Sequence, residues 1–276
     1  MAISTVDGVV SGLGSGYGKF IIDKVSLANQ VAGRIVSLWR ASGVPSIPAA
    51  PTTAVQLTNG DIGCIPFTSQ TLPARSYIGF TDYSNSVAGN ALVFCDRLAN
   101  QGGLSFNVTT AQTTNLPINL STLGVVSNRI GAADFSEINW YLEVYTDGGA
   151  TASNATIGVI YNDNSSGNLN VIAVGGTLRA GQCIHLNPFK LNNGLYIKGI
   201  TSVTLSAATG TVGNFGFTAV RELANCSSDI ASKRENFDWA KLGLPEIPAG
   251  AFLFPMIYPV STSSGIVKAI GKIIYG

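Results

Sequence analysis

Residues 196–223 read YIKGITSVTLSAATGTVGNFGFTAVREL. In the first half Ile197, Thr201, Val203 and Leu205 share one parity, while Ser202, Thr204 and Ser206 share the other. In the second half Phe215 and Phe217 alternate against Gly216 and Thr218. A period of two places alternate side chains on opposite faces, so each half reads as a strand with one buried side. The break at 207–214 is made of small residues with two glycines and reads as a hairpin loop. Two strands with a Val/Leu/Phe face are not stable alone and must meet a second apolar face.

Working outward, the same alternation marks strands at 77–83, 91–97, 139–146, 155–161, 170–174 and 182–186. In 139–146, Trp140, Leu142 and Val144 alternate against Tyr141, Glu143 and Tyr145. Bulk on both faces predicts a central strand. Short strands separated by turn signals predict a mainly β chain: an antiparallel β-sandwich or jelly-roll-like core with an N-terminal helix and extended N- and C-terminal arms. One echo stands out, because 147–159 (DGGATASNATIGV) and 206–217 (SAATGTVGNFGF) both run through Ala-Thr and small residues to an Asn and a strand. It reads as two equivalent hairpins facing each other across a sandwich.

The ends differ in character. Residues 1–18 are Gly-rich and read as a flexible leader. Over 19–40, Ile21, Val25, Ala28, Ala32, Ile35 and Trp39 recur at three- and four-residue intervals, which predicts an amphipathic helix ended by Gly43 and Pro45. Residues 44–51 (VPSIPAAP) read as a stiff Pro-rich linker. After Leu223 comes the densest charge of the chain, 227–239. A Pro-punctuated apolar run, LPEIPAGAFLFPMIYP, follows, and the prolines exclude a continuous helix or a central strand. The tail GIVKAIGKIIYG carries Lys268 and Lys272 one turn apart and reads as a short helix. The division expected is therefore 1–51 as arm, helix and linker, 52–223 as core, and 224–276 as a second arm with a tail helix. Arms that reach other subunits would do so through Phe20, Ile21, Val25, Ile35 and Trp39 at one end and Phe252, Phe254, Ile257 and Tyr258 at the other.

Composition sets the function classes. Of the 276 residues 46% are hydrophobic and only 11% charged, against about a quarter charged in an ordinary domain. Uncharged surface costs less to desolvate, which suits a chain that packs against other subunits. With 16 basic and 15 acidic residues the net charge is +1, so no nucleic-acid partner is expected. No apolar run approaches the length of a membrane span, and no membrane partner or secretory leader is expected. The four cysteines, Cys64, Cys95, Cys183 and Cys226, form no CxxC and read as buried thiols.

Chemistry-bearing patterns are sparse. The glycines around Lys19 fail the phosphate-loop spacing, since Leu13 stands in place of the first glycine and Phe20 in place of the Ser/Thr. His185, the one histidine, has no nucleophile setting beside it. The stretch 162–167 (NDNSSG) echoes the start of a calcium loop, but Ala173 replaces the bidentate Glu, and a polar turn explains it better. Glu137, Glu143 and Asp147 are near in sequence and could face a groove as a glycosidase pair, though Glu143 falls mid-strand. Trp140 and Trp39 could serve a carbohydrate-binding module as stacking platforms. Arg97, Arg221 and Glu222 read as ion-pair residues. No catalytic residue, metal or cofactor is expected.

Four segments carry a resemblance: LWRASGVPSIP (38–48), CDRLANQGGLSFNVTTAQTTNLP (95–117), the 140–161 stretch, and ITSVTLSAATGTVGNFGF (200–217). In this order they resemble a family of virion structural proteins of tailed bacteriophages, over roughly 38–223. The resemblance implies a decoration or cement protein bound as an oligomer, expected to be a homotrimer, on the outer surface of the capsid. Its partners would be the major capsid protein and other copies of itself, and it would be assembled in the host cytoplasm. A tail or head–tail connector component is the alternative within virions.

Overall fold

The computed structural model describes residues 3–276. The chain is mainly β, built of antiparallel sheets with one N-terminal helix, as the alternation predicts. It divides into two compact units rather than a core with two arms. The first takes residues up to Pro48, 58–96 and 222–276; the second takes 49–57 and 97–221.

The second unit contains the stretch quoted at the outset. One of its sheets orders Ser166–Asn168, Ser153–Tyr161, Ile197–Leu205 and Ile118–Asn119, with Ile172–Val174 also on Ser153–Tyr161. The other sets Cys183–His185 beside Ile138–Thr146, which pairs in turn with 214–221. Ile138–Thr146 is thus central, as its two-sided bulk predicts. Apolar faces of both sheets close over one core, with Trp140, Leu142, Phe215, Phe217, Ile157, Val159 and Val203 all buried in it. The Trp140 indole N–H spans the layers and donates to Ile197 O at 2.8 Å.

Neither expected hairpin is a hairpin. Ile197–Leu205 pairs with Ser153–Tyr161, and 214–221 pairs with Ile138–Thr146. Each segment therefore crosses from one sheet to the other, and the two crossings run antiparallel, side by side. The echoed loops are the corners where this happens. Thr151 N–H donates to Thr209 O at 3.0 Å, and Gly149 N–H to Thr209 Oγ1 at 3.0 Å. A Cβ on Gly149 would lie 2.0 Å from Thr209 O, so the close approach of the corners requires glycine. Period two fixes strands and their faces, but it does not distinguish a hairpin from an arch between layers.

The first unit is made of the segments read as arms. Its six-stranded sheet orders Glu235–Asp238, Ser76–Asn85, Val267–Tyr275, Lys19–Lys24 and Gly43–Val44, with Glu246–Ile247 also on Ser76–Asn85. A second layer sets Leu253–Tyr258 between 91–96 and Val36–Ser37. Phe20 meets Phe94 edge to face, centroids 5.9 Å apart, and joins the layers. The apolar run around Phe254 thus lies in this chain's own core, with Pro255 tolerated in a strand between two others.

Three expectations on the ends are corrected. Residues 19–40 form no helix: Lys19–Lys24 is a strand, and the chain after it turns through Asn29 and Gly33 at φ +58° and +76°. That left-handed backbone breaks a helix, and the main-chain N–H groups of Gln30 and Gly33 donate to Thr262 O and Pro259 O instead. The tail is a strand, Val267–Tyr275, held by six consecutive pairs to Lys19–Lys24 and by Ser76–Asn85 on its other side. The Gly-rich leader contains the helix, Val6–Gly14, whose cap Thr5 accepts from Gly8 N–H at 3.1 Å. It lies on the six-stranded sheet, where the Lys272 ammonium donates to Leu13 O and Ser15 O.

Candidate assembly surface

Of the nine residues expected to bind partners, six serve the interior. Phe20, Ile35, Trp39, Phe252, Phe254 and Ile257 are all buried in the first unit. Trp39 meets Phe252 edge to face at 6.5 Å. Ile21, Val25 and Tyr258 are exposed, at 55%, 48% and 37%. Lys19–Lys24 alternates exposed and buried, so Phe20 and Ile22 point inward while Ile21 points out. Lys24 also points inward, where its ammonium donates to Ala41 O at 2.9 Å and to Pro45 O. Burial lowers its pKa to about 8.

Strand register shows what Ile21 stands beside. Ile21 is opposite Ile270, and Asp23 is opposite Lys268 on one side and Val44 on the other. Past the strand ends Ser264 N–H donates to Leu27 O at 3.1 Å, which continues the Lys24–Val267 register and brings Val25 beside Ile266. Ile266, Ile270 and Val44 are 46%, 43% and 49% exposed. Five β-branched apolar residues therefore share the outer face of one sheet edge, around one acid and one base. A cavity of about 190 Å³ opens there, lined by Ile21, Asp23, Lys268, Ile270 and the Arg234–Asp82 ion pair (3.0 Å). The expected partner-binding set leaves out Val44, and it reads Ile266, Lys268 and Ile270 as part of a tail helix rather than as a strand beside Ile21. The signal was present: in the tail Val267, Ala269 and Ile273 alternate against Lys268, Ile270 and Lys272. The Lys268–Lys272 spacing fits a helix turn as well, and only the pairing partner decides.

The chemical candidates are occupied by local partners. Glu143 is buried, and its carboxylate accepts from the Arg97 guanidinium at 2.6 Å and from the Thr218 hydroxyl. Tyr145 lies in the same cluster, and burial, followed by the Glu143 charge, pushes its hydroxyl far above the ordinary value. Asp147 is exposed and paired with Arg179 at 2.7 Å; Glu137 is paired with Arg221 at 2.6 Å. The glycosidase candidates are thus each bound to a different arginine. His185 stacks on Tyr141 at 5.0 Å, with Nε2 3.0 Å from Asn139 Oδ1, and desolvation lowers its pKa. At 162–167 the chain makes a turn between two paired strands, and Asp163 accepts from Ser165 N–H and Oγ–H at 2.9 and 2.6 Å. Among the described residues no three His, Cys, Asp or Glu side chains gather as a metal site. The four cysteines are buried and none is in a disulfide. Trp140 and Trp39 are buried and offer no stacking face. A further cavity of about 490 Å³ lies against the N-terminal helix, among Thr5, Gly8, Ser11, Tyr17 and Tyr275. The side chains lining it are hydroxylic or apolar. No described helix is long and apolar enough to cross a membrane.

No family model and no curated protein matches the chain. Among solved structures, the infectious bursal disease virus VP2 subviral particle aligns over 94% of this chain and 79% of that one, at 12% identity and a TM-score of 0.17. The T=1 particles derived from infectious bursal virus align over 94% and 76%, at 11% identity and a TM-score of 0.17. Likeness at that level carries no argument about this chain.

Proposed function

We propose that the chain is a structural subunit of a virus particle that acts by packing against other subunits. The observation that carries this reading is the outer sheet face of the first unit, where Ile21, Ile270 and Val44 stand exposed on paired strands and Val25 and Ile266 extend them past the strand ends. Apolar groups clustered on one face favour a partner over water. The low charge of the chain acts in the same direction, because little charged surface has to be stripped of water on contact. The acids best placed for catalysis by sequence are bound in ion pairs, which favours assembly over hydrolysis. Burial of Trp140 and Trp39 removes the aromatic platforms from a carbohydrate-binding reading.

The finer form of the proposal comes from the resemblance of 38–223 to virion structural proteins of tailed bacteriophages. In that form the protein binds the outside of a capsid as an oligomer, contacts the major capsid protein, and cements neighbouring capsomers. Its docking surface would be folded sheet rather than flexible arms, since Lys19–Lys24 and Val267–Tyr275 are paired strands of the first unit. The test is to quantify and locate the protein in purified particles, and to add purified protein to shells that lack it. The expected result is saturable binding over the whole head, in hundreds of copies, with greater shell resistance to heat. About a dozen copies at one vertex would establish the connector alternative. Absence from particles together with no binding to shells would overturn the proposal.

A further inference from the structure

We infer that the helix Val6–Gly14 is a releasable cover, which lifts off the six-stranded sheet without unfolding it and bares the end of the outer face on which Ile21 and Ile270 stand. The inference goes beyond the assembly reading and does not depend on it.

Sequence and packing both hold the helix weakly. It reads VDGVVSGLG, nine residues with glycine at 8, 12 and 14. Glycine inside a helix disfavours it about 5-fold relative to alanine. A helix this short is not stable in water by itself, so the sheet is what keeps it folded. Yet its contact with the sheet is thin. Val9 is the one residue of the helix that is buried, while Val6 and Val10 are each 59% exposed. Beneath it lie Ile274 and Gly79: a Cβ on Gly12 would come 3.0 Å from Ile274 Cβ, and one on Gly79 would come 3.2 Å from Leu13 Cδ2. Along one flank the helix borders the cavity of about 490 Å³ shared with Tyr275, so it is packed on one side only.

A polar latch fastens the C-terminal end. The last carbonyls of a helix have no partner within it, and a cation beside them is favoured. Lys272 supplies that cation, donating to Leu13 O and Ser15 O from the sheet below. The chain is pinned again at Gly18, whose O accepts from Ile273 N–H at 2.7 Å. Between the two points a Cβ on Gly16 would meet nothing within 4 Å, and Tyr17 is 80% exposed. Gly16 and Tyr17 are therefore where the backbone can turn while Lys19–Lys24 keeps its pairs.

The consequence follows from what the helix covers. Lys272 shares the parity of Ile270 on the tail strand, and Ile274 lies against the helix; both are buried while it is down. Opening adds one apolar side chain and one ammonium to the outer face, and closing withdraws both.

The experiment is hydrogen exchange on the full chain, with Lys272→Met and Gly8→Ala/Gly14→Ala beside the wild type. Both alanines fit, since a Cβ on Gly8 has its nearest neighbour at 3.4 Å and one on Gly14 meets nothing within 4 Å. In the wild type, amides of residues 9–14 should exchange at least ~100-fold faster than those of Val267–Tyr275, a strand paired on both sides. Lys272→Met should speed the helix amides at least ~10-fold, and the alanine pair should slow them about 10-fold. Neither should alter the strand amides. A pulse of acetic anhydride supplies a second readout: Lys272 should be acetylated more slowly than exposed Lys268, and the alanine pair should slow Lys272 alone, by the factor seen in the helix amides. Helix amides as protected as the strand would overturn the inference, as would a Lys272→Met variant that leaves helix exchange unchanged or speeds helix and strand equally. An alanine pair with no effect on helix exchange or on Lys272 acetylation would overturn it too. Shell binding is measured apart from all of these, so failure of the cover leaves the virion reading untouched.

Discussion

Arg97 and Glu143 hold each other at 2.6 Å with almost no access to water, and Thr218 and Tyr145 add hydroxyl contacts to the same carboxylate and guanidinium. Burial alone would pull the Arg97 pKa down, but Glu143 and Tyr145 outweigh it and the net direction is up. Removing one member strands the other charge in the interior. Arg97→Met should therefore cost about 3–5 kcal/mol in chemical denaturation. Arg97→Met/Glu143→Gln should cost clearly less than the single change, because no charge is left buried. If the double variant is as unstable as the single, the pair is not what the site is for. Lys24 offers a pH test. Burial lowers its pKa from 10.5 to about 8, so between those values the unfolded chain binds the proton that the folded one has released. Stability then rises with pH across that window, and the cost of the buried charge is fully in place below pH 8. The gain is at most about 3 kcal/mol, since the two carbonyl acceptors favour the charged form. Lys24→Met should abolish the rise in denaturation midpoint between pH 8 and 10; a rise that persists would assign it to another group.

At the scale of elements, the strands of the second unit were legible because the apolar side of each packs into a single core, whether or not its other side is covered. Val203, Leu205, Phe215 and Phe217 alternate for that reason. Their partners were not legible. Alternation says which side is inside, and the arch between layers is decided by contacts more than 50 residues apart, such as Ser206 N–H to Asn154 O. In the first unit, 19–40 and 265–276 satisfied a helical period and a strand period together. Neither segment holds its conformation by propensity; each is a strand because the other is there, Ile22 against Ala269 and Phe20 against Gly271. The candidate surface was half legible in consequence. Ile21 and Val25 were found, but Ile266, Lys268 and Ile270 come beside them only through that pairing. The buried residues wrongly assigned to it, Phe254 among them, are apolar in the same way, and burial in this chain or in a neighbour leaves the same mark on a sequence.

At the scale of the whole molecule, the ends of the chain are the part whose meaning changes most. If 224–276 were an arm, a chain ending at Leu223 would fold and lose only its partner. In the structure that truncation removes Val267–Tyr275 from between Ser76–Asn85 and Lys19–Lys24, and Leu253–Tyr258 from between 91–96 and Val36–Ser37. Phe20, Ile22, Ile78 and Phe94, all buried in the intact chain, would then face water, at about 1.5–3 kcal/mol for each side chain. No local interaction replaces that, because their contacts are long-range. The second unit keeps both of its layers and the core around Trp140. Hydrogen exchange on the 1–223 chain should therefore show amides of Ile138–Thr146, Ser153–Tyr161 and Ile197–Leu205 still protected. Those of Lys19–Lys24 and Ser76–Asn85 should exchange at unfolded rates. Protection of the latter two strands in the truncated chain would return the C-terminal segment to the status of an arm. Deuterium uptake restricted to them would instead mean that any surface displayed by the first unit, including the Ile21–Ile270 face, exists only when both ends of the chain are in place.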